Sequence, residues 1–337
     1  MSRVALRNLS RQSLILAALM AIVGLGLATI VYLLMLPPAN GLANGPVHSQ
    51  LTLADIPFDG TRAYGYLEQI CALGPRVSGT AGMQAQQLLL AKHFREFGGQ
   101  VRFQEFRVRH PQNGSAVPMA NLIVQWNPER KERILLAAHY DTRPFPDRDR
   151  TNPRGPFLGA NDGASGVALL MELAHAMPDL KGKLGVDFVL FDGEELVFKD
   201  GDAYFLGSEY FAQEYVNHPP GYRYRWGVVL DMVADADLQI YQERNSTSWK
   251  DTRPLVAAIW DTAKRLGVRE FIPQRNWEIQ DDHLRLHNIG KIPTCDIIDF
   301  DYPAWHTTQD LPQQCSALSL AKVGWVIQVW LQGAVKQ

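Results

Sequence analysis

Apolar strand-like runs alternating with helix-period segments predict an α/β fold, a sheet layered against helices. Two observations agree with this. The composition, 46% hydrophobic and 20% charged over 337 residues, is that of an ordinary globular chain long enough for one large core. Several strand-like runs also stop at a His, Asp or Glu, and open α/β sheets place their sites at the carboxyl ends of strands.

In chain order, residues 1–13 carry Arg3, Arg7 and Arg11 and no acid, and residues 14–36 carry no charge at all. That apolar length matches the ~20 residues that span a bilayer. The positive-inside rule then predicts a transmembrane helix with a cytoplasmic N-terminus and the rest of the chain outside. A signal peptide is the competing reading, but its apolar region would be shorter, ~7–15 residues, and would end in a small-residue cleavage site. Here Pro37-Pro38 follows directly. Residues 37–50 read as a linker and 51–337 as one catalytic domain. Within it, strands are expected at 100–109, 121–126, 133–139, 186–191 and 226–230, where β-branched and aromatic residues concentrate. Helices are expected at 83–97, 167–177, 254–266 and 318–331, whose Met and aromatic residues read as core.

The charge balance, 33 Lys and Arg against 35 acids, leaves −2 and no basic stripe, so no nucleic-acid partner is expected. Cys71, Cys295 and Cys315 lack metal-ligand spacing and read as buried free thiols.

The chemistry concentrates at strand ends. Phe188-Val189-Leu190-Phe191 runs out into Asp192-Gly193-Glu194-Glu195. Adjacent carboxylates there face opposite sides, so one can bind a metal while the other works as general acid and base. Ile134-Leu135-Leu136-Ala137-Ala138 ends in His139, with Asp141 two residues on, the spacing by which a carboxylate orients an imidazole. The Gly-rich turn Gly159-Ala160-Asn161-Asp162-Gly163 presents Asp162 just before a helix. Asp231 closes another apolar run, and Trp305-His306 comes late in the chain.

This ordered set resembles the zinc aminopeptidases of peptidase family 28 and their relatives, the glutaminyl-peptide cyclotransferases, from about Phe58 to the C-terminus. The resemblance implies a mixed, mostly parallel central sheet flanked by helices, with zinc at the strand ends and peptide N-termini as substrates. For a hydrolytic aminopeptidase the set would be His139, Asp162, Glu195, Asp231 and His306 around two metals. For a cyclase it would be Asp162, Glu195 and His306 around one.

Three features resemble the cyclases: Gln280-Asp281-Asp282-His283, an aromatic Trp305 beside His306, and the long connection 196–206. Two resemble the aminopeptidases or depart from the animal cyclases: Ala160-Asn161 before Asp162, and Phe198-Lys199-Asp200-Gly201 where animal cyclases carry a Trp. Ala138 and Val167 also stand where the animal enzymes place a disulfide.

The cyclase reading is the one taken. It implies one zinc on Asp162, Glu195 and His306, with Glu194 as base and Asp281 and Asp231 supporting it through shared hydrogen bonds. Trp305 walls the substrate pocket, and His139 and Asp141 belong to a second metal or stand behind the first. Asp231 also reads as a strand-end carboxylate capping nearby amides, and Asp282 and His283 as turn and helix-start residues. A non-catalytic ectodomain of this fold would lack one of Asp162, Glu194, Glu195 or His306, and all four are present.

Overall fold

A computed structural model describes residues 48–337. The expected segments 1–13 and 14–36, and linker positions 37–47, lie outside the described residues. Among the described residues no helix is long and apolar enough to cross a membrane.

The central sheet has six strands: β1 (Gln100–Arg109), β2 (Ala116–Trp126), β3 (Glu132–His139), β4 (Gly185–Phe191), β5 (Arg223–Asp231) and β8 (Thr294–Ile298). Their order across the sheet is β1-β2-β4-β3-β5-β8. The two outer pairings, β1 with β2 and β2 with β4, are antiparallel, whereas β4-β3, β3-β5 and β5-β8 are parallel. A second sheet pairs β6 (Ile240–Gln242) with β7 (Phe271–Arg275).

Side chains alternate across the main sheet with the period of two that a pleated strand imposes. Leu122, Leu136, Leu190 and Leu230 join the larger core under helices Gly60–Cys71, Ala81–Glu96, Ser165–Leu173 and Ala317–Ala334. Ile123, Leu135, Val189 and Val229 face the other way, onto Phe211 of helix Leu206–Asn217 and Leu286 of helix Asp282–Asn288. Every residue of β4 is buried because both its faces are covered, so it reads as a continuous apolar run. Its one charge, Asp187, pairs with the buried Arg133 (Nε–Oδ1 2.7 Å) at the amino-terminal edge, away from the strand ends that carry the site.

The strands expected at 121–126, 133–139, 186–191 and 226–230 form inside slightly longer ones, and 100–109 forms as β1. The helix expected at 167–177 is Ser165–Leu173 followed by a 3-10 turn, Ala174–Ala176. Strand β8 escaped the sequence pattern because Asp296 interrupts its five-residue apolar run, yet it is buried throughout. The three cysteines are buried and free.

Candidate metal centre at the strand ends

The parallel strands deliver their carboxyl ends to one edge. His139 ends β3, Asp231 ends β5, Glu194 and Glu195 follow β4, and the chain leaving β8 reaches His306. Asp162 lies three residues before helix Ser165–Leu173. The glycines of its turn are sterically required. Gly163 has φ +97°, and a Cβ there would meet the Asp141 carbonyl oxygen at 2.5 Å. At Gly166 a Cβ would meet the Leu230 carbonyl oxygen at 2.2 Å, so the helix can approach the sheet only without one.

Buried carboxylates hold the turns. Asp141 accepts the amides of Glu194 (3.0 Å) and Glu195 (3.1 Å), fixing the paired-glutamate turn. It lies 3.7 Å from His139 Nδ1, so the expected imidazole contact is the looser of its attachments. Asp310 accepts the amides of Asn161 (2.8 Å) and Asp162 (3.1 Å) and a hydrogen bond from the Tyr302 hydroxyl (2.8 Å). His306 has φ +57°, a left-handed conformation that a non-glycine residue holds only where its surroundings enforce it.

Two ligand clusters share Asp162. In the first, His306 Nε2 lies 3.0 Å from Glu195 Oε1 and 3.5 Å from Asp162 Oδ2. In the second, His139 Nε2 lies 3.2 Å from Asp162 Oδ1 and 3.2 Å from Asp231 Oδ1. Donors at 2.0–2.1 Å around tetrahedral zinc stand ~3.3 Å apart, so the first trio has the right spacing. Asp162 Oδ2 and Glu195 Oε2 are buried without a hydrogen-bond partner, as oxygens awaiting a cation would be. Two carboxylates and an imidazole therefore fit zinc.

Arg143, which sequence reasoning passed over, ties this trio together. Its Nη1 donates to Glu195 Oε1 (3.1 Å) and its Nη2 to the Tyr204 hydroxyl (3.2 Å). Asp147 accepts a hydrogen bond from Arg143 Nη2 (3.3 Å) and lies 3.2 Å from His306 Nδ1, so a carboxylate backs the candidate ligand imidazole from outside.

The carboxylates crowd one another. Burial, then the charge of Glu195 and those of Asp282 and Asp281, holds the Glu194 carboxyl well above its usual range, despite relief from His139. Burial raises Asp231 to about 7, against the hydrogen bond with His139. His306 resists its burial and rises to about 9 through hydrogen bonds with Asp147 and Glu195. An imidazole that binds zinc must be unprotonated, so below about pH 9 zinc would have to displace a proton from His306. Zinc affinity, measured by competition with a chromophoric chelator, should weaken up to about tenfold per unit as pH falls from about 9 to about 6. Affinity flat across that range would contradict this assignment.

Asp162, Glu194, Glu195, Asp231, Asp281, Trp305 and His306 all line one pocket of about 480 Å³. Trp305 stands beside His306 with ring centroids 4.2 Å apart, as a pocket wall should. Tyr204 and Phe205, from the connection 196–206, line it too. His139 and Asp141 stand behind, buried.

Several expectations are corrected. Asp231 hydrogen-bonds His139 at 3.2 Å, and no amide donates to it among the described bonds, so it is not an amide cap. Nor does Glu194 hydrogen-bond Asp281 or Asp231. Asp281 instead caps helix Asp282–Asn288 and pairs with the carboxyl of Asp296, a residue not singled out in the sequence. Asp282 and His283 start that helix, but both are buried, and His283 lies 3.4 Å from Glu243 and 3.5 Å from Asp296. No motif marks Arg143, Asp147, Asp296 or Asp310.

Known proteins share this fold. A glutaminyl cyclase from Fimbriiglobus ruber superposes with a TM-score of 0.78 at 42% identity, over 82% of this chain and 95% of that one. A leucine aminopeptidase precursor from Bacteroides thetaiotaomicron superposes with a TM-score of 0.75 at 33% identity, over 80% of this chain and 96% of that one. The glutaminyl-peptide cyclotransferase of Drosophila melanogaster is 26% identical over 259 residues, 70% of each chain. Peptidase family M28 matches residues 121–331, the stretch that carries every proposed ligand and acid of the site, and the chain belongs to that family.

Proposed function

We propose that the enzyme is a zinc-dependent glutaminyl-peptide cyclotransferase, closing an N-terminal Gln of a peptide to pyroglutamate with release of ammonia. The observation that carries this choice of branch is the 42% identity to a glutaminyl cyclase across 95% of that chain. In the proposed reaction the substrate's α-amine attacks its own γ-carboxamide carbon. A new C–N bond forms, the bond to the amide nitrogen breaks, and ammonia leaves.

Bound by Asp162, Glu195 and His306, zinc would supply Lewis-acid polarisation of the γ-carboxamide carbonyl. Glu194 takes the proton lost by the amine and returns it to the departing nitrogen. A carboxyl with raised proton affinity suits that exchange. Asp141 fixes the Glu194 backbone, so its side chain is aimed without reorganisation. Trp305 and Phe300 present apolar surface to the substrate side chain and narrow the access of water.

One observation favours a second reading, a two-metal aminopeptidase. His139 and Asp231 stand assembled on the other oxygen of Asp162, as a second ion would require. The test is the product formed from a Gln-initiated peptide, read by mass. An intact chain lighter by one ammonia supports the cyclase, and free glutamine sinks it. A binding-only ectodomain is disfavoured by the completeness of the site and would give neither product.

We also propose that residues 14–36 anchor the catalytic domain on the outer side of a membrane, on the strength of their uncharged length and the preceding arginines. The full chain should then sediment with membranes and resist alkaline carbonate washing. Recovery in the soluble fraction would refute the anchor.

A further inference from the structure

The 480 Å³ pocket opens into a larger groove of about 1270 Å³, and Arg148, Phe300 and Trp305 line both. An aromatic row runs out of the pocket along this groove. Trp305 and Phe300 have ring centroids 4.7 Å apart, Phe300 and Trp277 5.9 Å. Trp277 is 41% exposed, one of few large apolar side chains so open among the described residues. Its backbone is nevertheless fixed, since its carbonyl accepts from the Arg244 amide at 2.9 Å. Gln239, Gln309 and Gln314 add carboxamides to the lining, donors and acceptors of the kind a peptide backbone pairs with.

A substrate bound by its first residue must lead the rest of its chain out past Trp305, and the groove begins there. We propose that this groove holds the residues after the N-terminal one, with Trp277 as the outer stacking platform, and that the enzyme prefers peptides of about four residues or more to dipeptides. The proposal rests on the N-terminal peptide chemistry proposed above. Residues 278–281, next after Trp277 in the chain, line the pocket itself, so the groove adjoins it, and binding energy gained along the groove by one continuous substrate is available to orient its reacting end.

The test compares kcat/KM for a Gln-initiated dipeptide amide and a Gln-initiated pentapeptide in the wild type, Trp277→Ala and Trp277→Phe. The wild type should favour the pentapeptide by about tenfold. Trp277→Ala should lose most of that preference with dipeptide turnover unchanged, and Trp277→Phe should keep most of it. Equal use of both peptides by the wild type, or full preference in Trp277→Ala, overturns the groove and leaves the cyclase standing. Free glutamine released with the same length preference keeps the groove and overturns the cyclase. Conversion of neither peptide sinks both.

Discussion

Glu194→Gln is expected to fold, to hold zinc and to lose most of its turnover. The substitution keeps the size of the side chain and its backbone amide bond to Asp141, but removes the group that can take and return a proton. Positioned proton transfer contributes ~10²–10⁴-fold in rate, and the loss should fall on kcat more than on KM because the proton moves only in the transition state. Zinc content is expected to be unchanged, since Glu195 and not Glu194 belongs to the trio with Asp162 and His306. Steady-state kinetics with a Gln-initiated peptide, alongside metal analysis of the same preparation, checks both halves. Turnover near the wild-type level would remove Glu194 from the mechanism whichever branch of the family the enzyme follows.

The strand ends were legible because burial writes them into the sequence. A buried parallel strand is an apolar run, so a His or Asp that ends it stands out, as His139 and Asp231 do. Asp141 was legible as a partner, but its main attachment was not. The amides it accepts lie more than fifty residues away, across the β3–β4 pairing, and no local spacing encodes that.

The positively charged half of the site was hidden for another reason. Arg143 and Asp147 sit in the Pro-, Arg- and Asp-rich stretch 143–157, whose place between two site motifs suggests a pocket rim but singles out no residue, and Arg143 is buried against Glu195 and Tyr204. The burial of Asp296 and of His283, which reads as a helix-start residue, was hidden because charged residues inside short elements normally argue for exposure. Here both are buried, and with Glu243 and Asp281 they share a pocket of acids behind the site. Burial, and then the charges of Asp281 and Glu243, push the Asp296 carboxyl well above its usual range. Only the assembled fold could show this.

His306→Ala and His139→Ala are expected to part company, and the difference decides the metal count. His306 supplies the only imidazole of the Asp162–Glu195–His306 trio, and Asp147 stands behind it at 3.2 Å. Removing it leaves two carboxylates and no imidazole, with the Arg143 guanidinium already 3.1 Å from Glu195 Oε1. Disturbing a mere outer-shell partner already costs ~10–100-fold in metal affinity, so losing a ligand should abolish both stoichiometric zinc and turnover. His139 touches the trio only through Asp162 Oδ1, 3.2 Å away, while Asp162 Oδ2 remains to hold the ion. In a single-metal cyclase, His139→Ala should therefore keep its zinc. Part of the activity should go, because Asp162 and Asp231 lose the hydrogen bonds that restrain their carboxyls. In a two-metal aminopeptidase the same substitution removes a ligand and releases one of two equivalents. Zinc per chain in the wild type and both variants thus separates the readings without reference to any substrate, and loss of an equivalent in His139→Ala would end the single-metal assignment.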